Sequence, residues 1–397
     1  MNARKVRAVF VGAMVIAMVA VLGLSGGAVP YQEPIDLGGW YASGINNSGQ
    51  VVGTSGHGSG EAFLWQNGVK TYLGTLCDPY NTWSQANGIN NSGQVVGNSY
   101  GSGSYNGHAF LWQCGTMQDL GTLPAPYNLS YANGINNSSQ VVGISYVDSA
   151  MGDTPRAFLW QSGLMQDLGT LPDHITSWAY GINDDGQVVG ISAGGSESSP
   201  FLWADTNGNG QSDPGEMQDL GNLPGFVYGS GRGINNLGQV VGSSGPSTQV
   251  GRAFLWTDTN GNGQKDPGEE MQDLGALPGY DYSGAYGINN LGQVVGESYE
   301  GYTGYSYRGR AFVWTDTNGN GQSDPGEMQE LAPLSGHQWS AAFGINDMGW
   351  VVGLSGDFNG VTSHGVLWKP VPEPSSLLAL GTGLFGLAGF LCRRRAR

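Results

Sequence analysis

Charge is scarce in this chain, and basic charge is scarcest. Only 12 per cent of its 397 residues are charged, with 15 basic against 31 acidic side chains and a formal net charge of −16. Seven of the fifteen basic residues lie in the first seven or last five positions. The body therefore keeps only Lys70, Arg156, Arg232, Arg252, Lys265, Arg308, Arg310 and Lys369. A body of that sign repels phosphate, which argues against nucleic acid or anionic lipid as a partner and is compatible with bound cations. Histidine is equally sparse. His57, His108, His174, His337 and His364 show no paired spacing and no cysteine partners, so nothing suggests zinc. No nucleophile elbow, Walker loop or dinucleotide fingerprint stands in a strand-to-helix setting. No enzymatic activity is therefore expected, although a carboxylate pair for glycan cleavage can form across a fold without showing in the spacing.

What is abundant is glycine, 70 residues against a usual share of about 7 per cent, together with Asn, Ser, Val, Trp and Tyr. That mixture suits short strands joined by tight turns. One pattern recurs. "GIN" begins at Gly44, Gly88, Gly134, Gly181, Gly233, Gly287 and Gly344, so seven units are spaced by 44, 46, 47, 52, 54 and 57 residues. Each unit runs on to "VVG", to an "FLW"-like segment ending at Trp65, Trp112, Trp160, Trp203, Trp256, Trp314 or Trp368, and in six units to a "DLG"-like segment. Each segment is a short apolar run between turn residues, the mark of a strand, and "INNSGQVVG" reads as a tight hairpin. Four short strands per period of roughly 50 predict an all-β fold, a seven-bladed β-propeller, with a β-solenoid as the alternative.

The seam favours the propeller. The last unit lacks its fourth segment, while the chain begins with an orphan "IDLG" at Ile35–Gly38. In a closed ring the N-terminal strand completes the final blade, as in WD-type propellers, and removes the exposed sheet edges. A tryptophan at one fixed position per unit predicts packing between blades. Trp40, Trp83, Trp178, Trp339 and Trp350, with the Tyr-rich loop Tyr299–Arg310, are left as the aromatic candidates for contact with a partner. Of the three cysteines, Cys392 lies in the tail, while Cys77 and Cys114 fall in connections that open on opposite faces. Bridged Cα atoms lie within about 7 Å, so two unpaired thiols are expected.

The units, "GINNSGQVVG…AFLW…MQDLGTLP", resemble the HAF family of extracellular repeats, named after a His-Ala-Phe triplet that only His108–Phe110 keeps intact. Glu61, Arg156, Pro200, Arg252, Arg310 and His364 stand around the same point in the other units. The resemblance covers nearly all of residues 35–370 and implies a secreted, propeller-like repeat.

Both ends read as addresses. Arg4, Lys5 and Arg7, an apolar run from Ala8 to Leu24 and the small residues Ser25, Gly26, Gly27 and Ala28 make a secretory signal peptide over 1–28, with a retained anchor as the alternative. Residues 29–370 form the repeat domain. At 371–397, Pro372, Glu373 and Pro374 lead into an apolar run from Leu377 to Leu391 and then Arg393, Arg394, Arg395 and Arg397. Fifteen helical residues span roughly 22 Å, less than the roughly 30 Å hydrocarbon core, which predicts a short and transient transmembrane segment. This tail resembles the PEP-CTERM sorting signal of Gram-negative bacteria. The resemblance implies recognition by a membrane-embedded exosortase and export to the cell surface or matrix, commonly in organisms that make exopolysaccharide. A generic tail anchor is the plainer alternative.

The strongest chemical signal is "DTNGNGQSDPGE". Asp205, Asn207, Asn209, Gln211, Asp213 and Glu216 occupy positions 1, 3, 5, 7, 9 and 12 of an EF-hand calcium loop, with Gly210 at the sharp turn. Copies follow with Asp258, Asn260, Asn262, Gln264, Asp266 and Glu269, and with Asp316, Asn318, Asn320, Gln322, Asp324 and Glu327. No helix flanks any of them. In units 4 to 6 the loops stand where units 1 to 3 have short third-to-fourth-strand turns, and they are expected on the face that carries the "INNSGQ" turns. Three carboxylates per loop predict weak structural calcium in the roughly 10⁻⁴ to 10⁻³ M range of extracellular modules. A polar hairpin that binds no metal is the alternative. Together these features predict an exported structural or adhesive protein of the envelope or exopolysaccharide matrix, with a polysaccharide-binding lectin as the second reading and a glycan-cleaving enzyme as the third.

Overall fold

The structure is a computed structural model and describes residues 29–56, 60–76, 83–101, 107–147, 154–258, 271–301, 309–357 and 362–372. The expected signal peptide, Cys77, the tyrosine-rich segment 302–308, the second calcium-type loop beyond Asp258, and the tail from Glu373 onward lie outside the described residues.

All regular structure among the described residues is β, and no helix there is long and apolar enough to cross a membrane. Unit 3 shows the scheme. Strands Leu129–Ile135, Val141–Tyr146, Arg156–Gln161 and Leu164–Asp167 pair antiparallel in chain order. Similar four-strand sheets recur at 41–72, 83–119, 176–219, 228–275 and 282–331, with one parallel bridge, Ser198 to Tyr228, between two of them. The last unit offers Trp339–Ile345, Val351–Gly356 and Ser363–Trp368. Its fourth strand is Ile35–Asp36 from the other end of the chain, with Ile35 opposite Leu367 and Asp36 opposite Val366. Antiparallel sheets in chain order are propeller-like and lack the parallel rungs of a solenoid.

The core lies between sheets. Val96, Ala109, Leu111 and Leu120 of one unit pack on Val141, Phe158 and Trp160 of the next. The pattern repeats down the chain, and Leu37, Val352 and Leu367 of the last sheet pack on Ala42 and Val51 of the first unit. Phe63, Phe110, Phe158, Phe201, Phe254 and Phe312 are fully buried, each contributing roughly 1.5–3 kcal/mol. The once-per-unit tryptophan belongs to these interfaces, as expected. Trp160, Trp203, Trp256, Trp314 and Trp368 are buried, while Trp65 and Trp112 are half-buried beneath short turns.

Two glycines per unit are fixed by space. A Cβ on Gly143 of "VVG" would lie 1.9 Å from Tyr131 O across the hairpin, and one on Gly134 of "GIN" would lie 3.0 Å from Tyr180 O of the next unit. Between them the first strand bulges. In every unit its register skips the residue before the "GIN" glycine, namely Ser43, Asn87, Asn133, Tyr180, Arg232, Tyr286 and Phe343. A bulged residue is left out of the ladder and its side chain is re-aimed. In units 1 to 3 it reaches the neighbouring unit, as Ser43 Oγ donates to Ala86 O, Asn87 Nδ2 to Ala132 O and Asn133 Nδ2 to Ala179 O.

Candidate functional site

The "INN" turns converge. Asn46 Nδ2 donates to Asn90 O, and the same bond runs from Asn90 to Asn136, Asn183, Asn235, Asn289, Asn346 and back to Asn46, at 3.0–3.1 Å throughout. One residue later a second circuit forms. Each backbone N–H donates to the side-chain oxygen of the next unit's Asn or Asp, from Asn47 through Asn91, Asn137, Asp184, Asn236, Asn290 and Asp347 and back to Asn47. These residues and the preceding isoleucines line one cavity of about 160 Å³. The sequence marks these asparagines as turn formers, and the structure adds that they also join the units.

Two carboxylates stand in that circuit. Asp184 Oδ2 accepts the amides of Asn137 and Asn236, and Asp347 Oδ2 accepts those of Asn47 and Asn290. Burial pushes the Asp184 carboxyl up, but the Asn137 and Asn236 donors outweigh it and hold the group below its ordinary value. A glycan-cleaving pair needs one carboxyl raised to act as an acid, and Asp184 is moved the other way.

The first and third calcium-type loops fold alike. Asp205 Oδ1 and Oδ2 accept Gly208 N and Gly210 N; Glu216, buried despite its charge, accepts Thr206 N at 3.0 Å and Asp213 N at 2.9 Å. Asp316 and Glu327 repeat these bonds. The Asp213-Pro-Gly-Glu216 sequence is a helix start, with Glu216 reaching back to the Asp213 N–H as in a capping box. Gly215 at φ 96° makes it a single tight turn, closed by Glu216 N donating to Asp213 O, and no helix follows. Asn207 and Asn209 turn their NH₂ groups to Asp213 Oδ2 at 2.7 and 2.6 Å, which holds the Asp213 carboxyl below its ordinary value. Their own oxygens accept Asn209 N and Gln211 N. Among the described residues no three His, Cys, Asp or Glu side chains gather as a metal site. Calcium at this loop thus requires both amides to turn over and give up these bonds.

What the loop does in this structure is fasten two sheets together. Trp203 Nε1 donates to Ser212 Oγ, which donates to Leu168 O of the preceding unit. Trp314, Ser323 and Leu274 O form the same relay. The middle copy carries Lys265 in place of that serine, and Trp256 Nε1, buried, has no acceptor among the described residues. The third loop borders the "INN" face as expected, since Asp316 and Gly321 share a cavity of about 470 Å³ with Asn290 and Leu291.

Other expected partner contacts fare differently. Trp83 stacks on Tyr100 at 3.7 Å between ring centroids, and Tyr131 and Tyr146 extend the row at 5.6 and 5.3 Å. Trp339 Nε1 donates to Asp357 O, and Trp350 packs under Lys369. Cys114 is an exposed free thiol. The HAF position has a partner that sequence reasoning missed. His108 bonds Asp119 and His364 bonds Asp36 of the "DLG" strand at 2.9 Å, while Arg252 and Arg310 meet Asp273 and Glu330. The alternation of His and Arg opposite an acid was the available signal.

A propeller-like stack of antiparallel sheets followed by a C-terminal sorting segment defines a class, the exported cell-surface repeat proteins. Residues 370–395 match the PEP-CTERM protein-sorting motif. The chain is an exported, cell-surface protein of Gram-negative bacteria, sorted by an exosortase. No curated protein matches it in sequence. Among solved structures it is similar to a puromycin hydrolase mutant, with 11% identity, a TM-score of 0.52 and coverage of 84% of this chain and 53% of that one. A puromycin-hydrolyzing peptidase from Mycobacterium tuberculosis gives 11%, 0.48, 83% and 53%. TolB from Acinetobacter baumannii gives 10%, 0.39, 69% and 60%. The chain spans little more than half the length of these three proteins, and the likeness concerns the fold alone.

Proposed function

We propose that this is a structural or adhesive component of the cell envelope or exopolysaccharide matrix, built as a closed seven-bladed propeller of HAF-type repeats. The observation that carries the reading is the double circuit of inter-unit hydrogen bonds through the "INN" turns, directly upstream of a surface-sorting tail. A ring joined at every interface, with Ile35–Asp36 filling the last sheet, leaves only short outer strands as edges and suits a protein that persists outside the cell. The reading assigns no catalytic role. The two carboxylates of the "INN" cavity are engaged by neighbouring amides, which supports a scaffold over a hydrolase.

Calcium belongs to this proposal as a weak clip on the loops at Asp205–Glu216, Asp258–Glu269 and Asp316–Glu327. The energy needed to turn Asn207 and Asn209 over keeps the affinity near the roughly millimolar end of extracellular modules. A lectin is the second reading, favoured by the Trp83, Tyr100, Tyr131 and Tyr146 row. The test is retention of the purified chain on the extracellular polymer of its source cells, with melting followed in parallel at millimolar calcium and in chelator. Retention with a calcium-dependent rise in Tm is expected. An unchanged melt removes calcium, and absence of retention under both conditions overturns the adhesive role.

A further inference from the structure

At one bulge the re-aimed side chain stacks on a ring but, among the described residues, makes no hydrogen bond. Arg232 lies on the first strand of unit 5, and its guanidinium rests on the Tyr180 ring of unit 4, 4.1 Å from the centroid. Stacking occupies the face of the guanidinium and leaves its N–H edge. Among the described residues that edge meets no hydrogen-bond acceptor and no carboxylate at ion-pair distance, and Nε is sealed from solvent without a partner. Glu297, an acid of the adjoining unit, is half-buried and instead accepts the Tyr286 hydroxyl at 2.7 Å.

Two residues along the same strand, and therefore near the bulge on the same run, stands Ser230. It is 7 per cent exposed, and its Oγ is likewise buried without a partner. Ser230 and Arg232 line a common cavity of about 150 Å³, walled by Tyr228, Ser243 and Tyr299. Tyr299 is held in place by the Gly251 N–H. The Arg232 Nε and the Ser230 hydroxyl are thus both sealed and unpaired among the described residues at one cavity, an arrangement that favours a polar group filling it. No other unit places Arg at the bulge; the equivalents are Ser43, Asn87, Asn133, Tyr180, Tyr286 and Phe343.

We propose that this unit 5 cavity binds a small ligand through a carboxylate group, the Arg232 guanidinium edge pairing with the two oxygens and Ser230 Oγ donating to one of them. A planar carboxylate matches the fork of a guanidinium whose faces are stacked. The volume accommodates a molecule displacing roughly five waters, which fits a small acid or one sugar-acid unit. The strongly negative body disfavours a long polyanion, so the ligand is a single acid group and not a charged chain. Tyr228 and Tyr299 supply aromatic surface for a ring attached to that carboxylate.

The test uses the full chain at constant ionic strength, with sodium acetate, sodium glucuronate and sodium sulfate as probes and saturable Tm shift and titration calorimetry as readouts. Acetate and glucuronate are expected to bind, glucuronate more tightly if the site takes sugar acids and equally if it takes small acids in general. Arg232→Gln should weaken binding at least about tenfold, and Arg232→Lys should fall between, since lysine keeps the charge and loses the fork. Ser230→Ala, which is expected to fold, should weaken binding by about threefold to tenfold and decides the matter if the arginine variants do not fold. Saturable binding by no probe, sulfate binding as tightly as the carboxylates, or unchanged binding in a folded Arg232→Gln or Ser230→Ala variant overturns the proposal.

Discussion

Units 1 to 3 and units 4 to 6 are built on one frame and differ in two places. The frame comprises the "INN" circuit, the "VVG" hairpin and the buried Phe, and it is common to both groups. The first difference is the turn between the third and fourth strands. It is short in units 1 to 3, whereas in units 4 and 6 a twelve-residue loop stretches back to the preceding sheet. The second is the bulged residue, Ser or Asn with a neighbour to bond in the first group and Tyr, Arg or Tyr in the second. The "INN" positions that join all seven units are Asn or Asp throughout, whereas the bulge and the third-to-fourth-strand turn join units in some places and vary from unit to unit. Individual function in a repeat protein belongs at the second kind of position.

The frame should be intolerant in both groups alike. Gly143→Ala in unit 3 and Gly242→Ala in unit 5 each place a Cβ 1.9 Å from a carbonyl oxygen, so each is expected to cost more than about 3 kcal/mol in urea unfolding. A large loss in one group and tolerance in the other would break the idea of a shared frame.

The loop relay should matter only where the loop exists. Ser212→Ala leaves the Trp203 N–H and Leu168 O unpaired, an expected loss of about 1–3 kcal/mol. In the middle copy, where Trp256 Nε1 has no acceptor among the described residues, Lys265→Ser restores the serine of the other two loops, with an expected gain of about 1 kcal/mol. Thermal melts of both variants check this, and a Ser212→Ala protein as stable as the parent would leave the loop without a fastening role.

The smallest effect concerns the HAF position. The hydrogen bond that His108 donates to Asp119 raises the His108 pKa above its ordinary value. Its stabilisation is therefore fully present below about pH 6.5 and disappears as pH rises through the higher folded pKa. Both partners are substantially exposed, so the term is under about 1 kcal/mol. His108→Gln should flatten the pH dependence of Tm between pH 6 and 8, approximately, while Arg310→Gln, removing a permanently charged partner of Glu330, should leave that dependence unchanged.

Much of the fold was legible because the repeat states it seven times. The short apolar runs, the Asn-Gly turns and the tryptophan at a constant offset each point to the same four-strand unit, and the orphan "IDLG" anticipates the pairing of Ile35 with Leu367. The calcium-type loops were legible as a motif, but their hydrogen bonding was not. The same Asp, Asn and Glu can surround a cation or satisfy their own backbone, and spacing does not distinguish the two. Asp184 and Asp347 stand in the sequence only as turn residues, since their six amide and backbone donors come from four other units.

The amino-acid sequence by itself determined the unit, its count, the packing tryptophan and the sorting address, because each depends on local periodicity or on contiguous residues. Only the tertiary structure decided that Ser212 links Trp203 to Leu168, and that Arg232 rests on Tyr180 beside an unpartnered Ser230. The Trp203-to-Leu168 and Arg232-to-Tyr180 contacts join adjacent units at separations of about 35 and 52 residues. The Arg232 contact also depends on a bulge that re-aims one side chain against the alternation of its strand, and no pattern along the chain records where that side chain comes to rest.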